Sequence, residues 1–234
     1  MASLHQKETI PLKELVEERY GQVLCYPRYD IKELRKRTKE LRTLGVKALK
    51  FIGEKRVSDM PVLGKGCVGI VVEALTKEGR AALKIRRVDA DRAGMQREAE
   101  MLSKANAVGV GPRLIGSTEN FLLMEFIEGR LLPRWVEGLR GRGMKSRISR
   151  VLEAVLEQCW TLDEAGLDHG ELSRAPKHII VSEGDRPRIV DFETASVARR
   201  VSNVTSICQY LFIGSPVTKI IERKFGKIDQ GELI

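Results

Sequence analysis

Between residues 49 and 126 the apolar residues of this 234-residue chain fall in short, partly β-branched stretches separated by glycines and charged turns; beyond Gly129 they recur with a 3.6-residue period. A segment patterned for one period cannot bury its apolar face in the other kind of element, so the change of period predicts a sheet followed by a helical region. Residues 49–52, 61–63, 68–75 and 81–85 read as an antiparallel sheet, with a hairpin turn at Gly79. Asp89 or Asp91 is placed to cap a helix reaching about Ala105, residues 108–112 (Val-Gly-Val-Gly-Pro) break it, and strands at 113–116 and 121–126 follow. Ile148, Val151, Leu152, Val155, Leu156, Cys159 and Trp160 then form one stripe of a long helix over about 145–165. Short strands at 179–181 and 188–190 interrupt the helical remainder, and 203–212 reads as a packing helix with Val204, Ile207, Cys208 and Leu211 on one face. The expected fold class is α+β in two lobes, an antiparallel-sheet lobe with one helix at 49–126 and a mainly helical lobe at 127–234.

Ahead of these lies a segment of different texture. Residues 12–20 and 31–44 have helical spacing, with Asp30 as N-cap and Gly45 as stop for the second, so 1–48 is expected to be a separate helical leader. The net charge of +9 is concentrated here: residues 28–56 hold eleven basic and four acidic side chains, a local +7, and residues 134–150 add +5, leaving the rest at −3. Lys32, Arg35, Lys36, Lys39 and Arg42 line one broad face of the 31–44 helix. Such a face is either simply solvated or a docking surface, within 28–56, for RNA or an acidic protein. No aromatic residue lies in 31–50, so any nucleic-acid contact would be to phosphates and salt-sensitive. With 42% hydrophobic and 31% charged residues the chain has material for a real core, which excludes disordered and fibrous classes. No apolar run reaches bilayer-spanning length and no secretory pattern opens the chain, so no membrane partner is expected and the cytoplasm is the default location. The four cysteines are too dispersed for a metal knuckle or a disulfide framework.

Five short motifs follow one another in order. Gly64-Lys-Gly66-Cys-Val-Gly69-Ile-Val71 matches G-x-G-x-x-G-x-V, but a strand rather than a helix follows Gly69, which argues against a dinucleotide fold and for a glycine loop between two strands. Lys84 ends the strand Ala-Ala-Leu-Lys, on the face opposite Leu83 and Ile85, and Glu98 lies fourteen residues on in a predicted helix, where its carboxylate could hold the lysine. Next comes the apolar strand Phe121-Leu-Leu-Met-Glu125-Phe-Ile127, then Asp168-His169-Gly170-Glu171 after the long helix, and Asp191-Phe192-Glu193 after the last short strand.

In this order the motifs resemble the compact, atypical members of the protein kinase-like superfamily, most closely the RIO-type and KEOPS-complex kinases and the aminoglycoside or choline kinases, over residues 57–212. The resemblance implies ATP and Mg²⁺ as cofactors. It implies that Gly64, Gly66, Gly69 and Val71 cover the phosphates, that Lys84 held by Glu98 neutralises them, and that the backbone of Glu125 and Ile127 meets the adenine. Glu171 would take the proton of a hydroxyl acceptor, Asp191 would hold the metal, and His169 would brace the loop from inside. The implied activity is phosphotransfer from ATP to a hydroxyl acceptor, expected to be a protein serine or threonine; a nucleotide-binding pseudokinase or ATPase switch and a small-molecule kinase stay open.

The sequence departs from the family pattern at three points. Glu171 stands where an aspartate base is usual, and Pro176 stands five residues on, where the pattern has a metal-binding asparagine. Allowing a two-residue insertion, Lys177 and His178 occupy that corner before the strand at 179–181. Imidazole suits Mn²⁺ better than Mg²⁺, so His178 is either a metal or phosphate contact or a packed structural side chain. Third, 43 residues follow Asp191 with no A-P-E signature, so a short or absent activation segment is expected.

Overall fold

The structure, a computed structural model, describes residues 9–226, so the expected lobe and leader residues at 1–8 and 227–234 lie outside the described residues. The chain forms two compact units. The first comprises residues up to Ala99 together with Arg113–Phe126, the second Glu100–Pro112 and the chain from Ile127 on. Among the described residues the fold is α+β, as the change of period predicts.

In the first unit β1 (Thr9–Pro11), β2 (Ala48–Lys50), β5 (Gly64–Lys65), β6 (Gly69–Thr76), β7 (Gly79–Arg86), β8 (Leu114–Ser117) and β9 (Phe121–Glu125) form one sheet in the order β1-β2-β6-β7-β9-β8, with β5 also on β6. Every pairing is antiparallel. A small ribbon of β3 (Lys55–Val57) and β4 (Met60–Val62) stands apart from it. Helices α1 (Glu18–Leu24) and α2 (Ile31–Thr43) precede β2, and α3 (Arg92–Ala107) follows β7. Asp30 caps α2 by accepting from the Glu33 N–H at 2.7 Å, and Asp91 accepts from the Ala93 N–H at 3.1 Å as α3 begins.

The expected boundary between a leader and a lobe at residue 48 falls inside this sheet. β2 pairs with β1 on one side and β6 on the other, and Ile10, Leu15, Val23, Leu24, Leu34 and Leu41 share a buried core with Ile70, Val72, Leu83 and Leu123. An amphipathic helix needs a partner for its apolar stripe, and here the sheet is that partner. The helix expected over 12–20 is displaced to α1, residues 12–16 being turns. On α2 the side chains of Lys32, Arg35, Lys36, Lys39 and Arg42 are exposed, but Arg37 is fully buried.

The second unit contains β10 (Gly129–Leu131), α4 (Leu132–Gly138), α5 (Met144–Glu164), β11 (Ile179–Ser182), β12 (Arg186–Ile189), α6 (Asn203–Cys208) and α7 (Pro216–Phe225). β10, β11 and β12 make an antiparallel ribbon. The expected helix at 203–212 is α6 continued by a π-helical turn at Gln209–Ile213. Residues 100–112, expected to belong with the sheet lobe, group with this unit. Arg188 donates to the Gly111 carbonyl at 3.2 Å, and Gly111, at φ +83°, lies so close to Phe192 that a Cβ there would meet its ring at 2.8 Å. Among the described residues no single helix is long and apolar enough to cross a membrane.

Candidate functional site

In the first unit the glycine motif forms the β5–β6 hairpin. Gly64 pairs with Val71, and the Gly66 N–H donates to the Gly69 carbonyl at 2.8 Å to close the tip. Val71 lies directly opposite Lys84 on β7, so the two share a face of the sheet. A Cβ at Gly69 would stand 3.1 Å from Lys84 Cγ and Cε and from the Ile85 carbonyl oxygen, so a larger residue there would have to push the lysine stem or the strand aside by a few tenths of an ångström. Lys84 Nζ sits 2.8 Å from Glu98 Oε1 and 2.7 Å from Oε2, with both side chains buried. Sheet and α3 thus bring together Gly64, Gly66, Gly69, Val71, Lys84 and Glu98.

Glu125 closes β9. Its N–H donates to the Arg113 carbonyl at 2.8 Å, so of its two backbone groups only the carbonyl could serve an adenine ring. Ile127 follows, as the first residue of this stretch to belong to the second unit.

In the second unit the residues after α5 form a loop held from inside. Asp168 is buried and pairs with Ser196 through both backbone groups, while its carboxylate accepts from Arg199 Nε at 2.9 Å and the Ser202 N–H at 3.3 Å. The buried Asn203 accepts from the His169 N–H at 2.8 Å and donates to Asp163 Oδ1 and the Leu167 carbonyl, each at 2.8 Å. The His169 ring is fully buried, with Nε2 3.2 Å from the Val190 carbonyl. Arg199 and Asn203 hold this loop, and no short motif announces them, because they lie 31 and 34 positions from Asp168 and His169, the residues they bind.

That loop presents a cluster. His178 Nε2 lies 3.0 Å from Glu171 Oε2 and 3.8 Å from Asp191 Oδ2, and Lys177 Nζ lies 3.8 Å from the same Asp191 oxygen. One ligand atom from each of Glu171, His178 and Asp191 falls within 4.8 Å of the other two. The short His178–Glu171 distance is not a well-directed hydrogen bond: neither ring nitrogen of His178 has a hydrogen-bond partner, although the side chain is buried. Hydrogen-bond energy falls steeply off axis, so the short separation by itself binds the ring weakly. Burial keeps both imidazoles neutral. It pushes His169 down to about 4 and holds His178 below the ordinary histidine value against the pull of Asp191 and Glu171. Asp191 itself has φ +72°, a left-handed backbone uncommon outside glycine.

The chain therefore carries a lysine–glutamate pair beside a glycine hairpin in one unit and two carboxylates with an imidazole in the other. Comparison with curated proteins finds no match. The family model of the RIO domain matches residues 71–203, from Val71 of the glycine motif to Asn203 behind the loop. That match spans more than half of the chain, which belongs to the RIO-domain family of atypical protein kinases.

Proposed function

We propose that the chain is an ATP-dependent phosphotransferase that moves the γ-phosphate to a hydroxyl group, with a protein serine or threonine as acceptor. The observation that carries this reading is the buried Lys84–Glu98 pair against Gly69. Burying two charges costs more than an ordinary surface ion pair returns, and a nucleotide's phosphates give the lysine a second partner. The glycine hairpin offers backbone N–H groups where side chains would obstruct phosphate. Glu171 is partly exposed and can take the acceptor's proton as the hydroxyl oxygen bonds to the γ-phosphorus and the bond to the ADP oxygen breaks. Asp191 and Glu171 are oxygen donors suited to a divalent cation, which when bound supplies neutralisation of phosphate charge. An ATPase switch without an acceptor is the second reading, favoured by one observation: Glu171 is turned toward His178.

Incubation of the purified chain with γ-labelled ATP tests both. Alkali-labile label on serine or threonine is the expected result; release of inorganic phosphate alone favours the switch, and ATP binding with neither outcome overturns both.

The thiols offer an independent check on the loop. Cys67 is exposed at the hairpin tip, whereas Cys25 and Cys159 are buried and burial raises their pKa, as it also does for the half-buried Cys208. Alkylation near pH 7.5 should reach Cys67 first. ATP at ten times its Kd should slow that reaction about tenfold by mass action. A rate unchanged by saturating ATP removes the hairpin from the nucleotide site.

A further inference from the structure

Packing alone leaves His178 unexplained. It is 1% exposed, and neither ring nitrogen makes a well-directed hydrogen bond in an interior where an unmet polar group is costly. Its place is set by the ribbon. The His178 carbonyl accepts from the Val190 N–H at 2.9 Å, Ile179 pairs with Ile189, and His178 and Asp191 consequently stand at the same end of β11 and β12. Glu171 approaches from the loop braced by Asp168, His169 and Asn203.

We propose that Glu171, His178 and Asp191 form a site for a divalent first-row transition ion, with His178 Nε2 as a direct ligand, and that the site prefers such an ion to magnesium. The inference deepens the phosphotransfer reading by naming the ion, and it rests on that reading only for what the ion does, not for its binding.

The donor set decides the preference. Mg²⁺ favours a shell of oxygens and gives up its waters reluctantly, whereas imidazole is a good ligand for the transition ions; two carboxylates with one imidazole match the latter. The spacing agrees. Adjacent ligands on an ion held at about 2.1 Å stand roughly 3 Å apart in an octahedral shell and somewhat further apart in a tetrahedral one. The 3.0 Å and 3.8 Å separations from His178 Nε2 to the two carboxylates require small movements to share an ion. Lys177, the other cation at hand, is 62% exposed at its side chain and 3.8 Å from Asp191, too solvated to be the main counterweight to two carboxylates.

The test uses the full chain without nucleotide. Mn²⁺ is titrated while the electron paramagnetic resonance signal of the free ion is followed, and pulsed spectra of the bound ion are searched for nitrogen coupling. We expect one Mn²⁺ per chain, nitrogen coupling, and Mg²⁺ competing at least about tenfold more weakly. His178→Ala should abolish the coupling and weaken Mn²⁺ by about 10- to 100-fold, and His178→Asn, which offers an oxygen, should narrow the preference over Mg²⁺. Absence of nitrogen coupling in the unmodified chain, or its persistence with unchanged affinity in His178→Ala, overturns the site. Should neither variant fold, as judged by circular dichroism, the unmodified chain's coupling decides alone. Coupling without ATP turnover keeps the metal site and overturns the phosphotransfer reading; turnover with Mg²⁺ and no coupling does the reverse.

Discussion

Asp191→Asn is expected to lower ATP turnover by on the order of 10³ while leaving the fold intact. Asparagine is the informative choice because of the backbone. Asp191 has φ +72°, a conformation that Asn tolerates nearly as well as Asp, whereas Ala adds roughly 1 kcal/mol of strain that would blur a chemical effect with a structural one. The substitution removes one negative charge from the cluster with Glu171 and His178 and keeps the side chain's size. Phosphoryl transfer depends on positioning and charge neutralisation more than on covalent help, so if Asp191 holds the proposed divalent ion, losing its carboxylate should appear chiefly in kcat. The melting temperature should move by no more than about 2 °C, since the group is partly exposed. Full turnover in Asp191→Asn would remove this residue from the catalytic centre.

How much of this was legible in the sequence differs residue by residue. Lys84 and Glu98 could be paired in advance because alternation fixes the face of a strand residue, and because Glu98 but not Glu100 lies on the inward side of α3: the former is buried, the latter exposed. The corner at residues 177–178 could be narrowed to two side chains but not decided. The choice depends on which one the β11–β12 ladder turns inward, and His178 is buried while Lys177 is exposed. β1 was invisible, because a three-residue strand carries no period and its partner β2 lies far along the chain, Thr9 pairing with Lys50 and Pro11 with Ala48. The seven-residue α4 is likewise too short for helical periodicity to stand out. The braces Arg199 and Asn203 are long-range partners of the 168–171 loop, and nothing local marks them.

Arg37 shows the same limit with the largest energetic consequence. In the sequence it is one more cation in a basic run, but it follows Leu34 by three positions and precedes Leu41 by four, which puts it on the buried stripe of α2 with Thr38. Its guanidinium donates to Glu33 Oε1 at 2.7 Å, to the Leu24 carbonyl at 2.6 Å, to the Arg86 carbonyl at 2.5 Å and to Asn120 Oδ1 at 2.9 Å. Asn120 is itself held by Glu40, through Nδ2 at 2.6 Å and its backbone N–H at 3.1 Å, so one planar fork ties α1, α2, β7 and the β8–β9 turn together. Arg37→Met keeps the apolar stem but withdraws every donor, leaving buried carbonyls with fewer partners. The expected loss is about 3–5 kcal/mol, seen as a melting temperature lower by roughly 10 °C. Arg37→Lys should recover little, since an ammonium cannot reach four acceptors in the directions the fork does. Arg35→Met, two positions away on the exposed side of the same helix, should change stability by less than about 0.5 kcal/mol. Equal stabilities for Arg35→Met and Arg37→Met would mean that α2 is a solvated basic helix after all, and that the basic run of 28–56 belongs wholly to the surface.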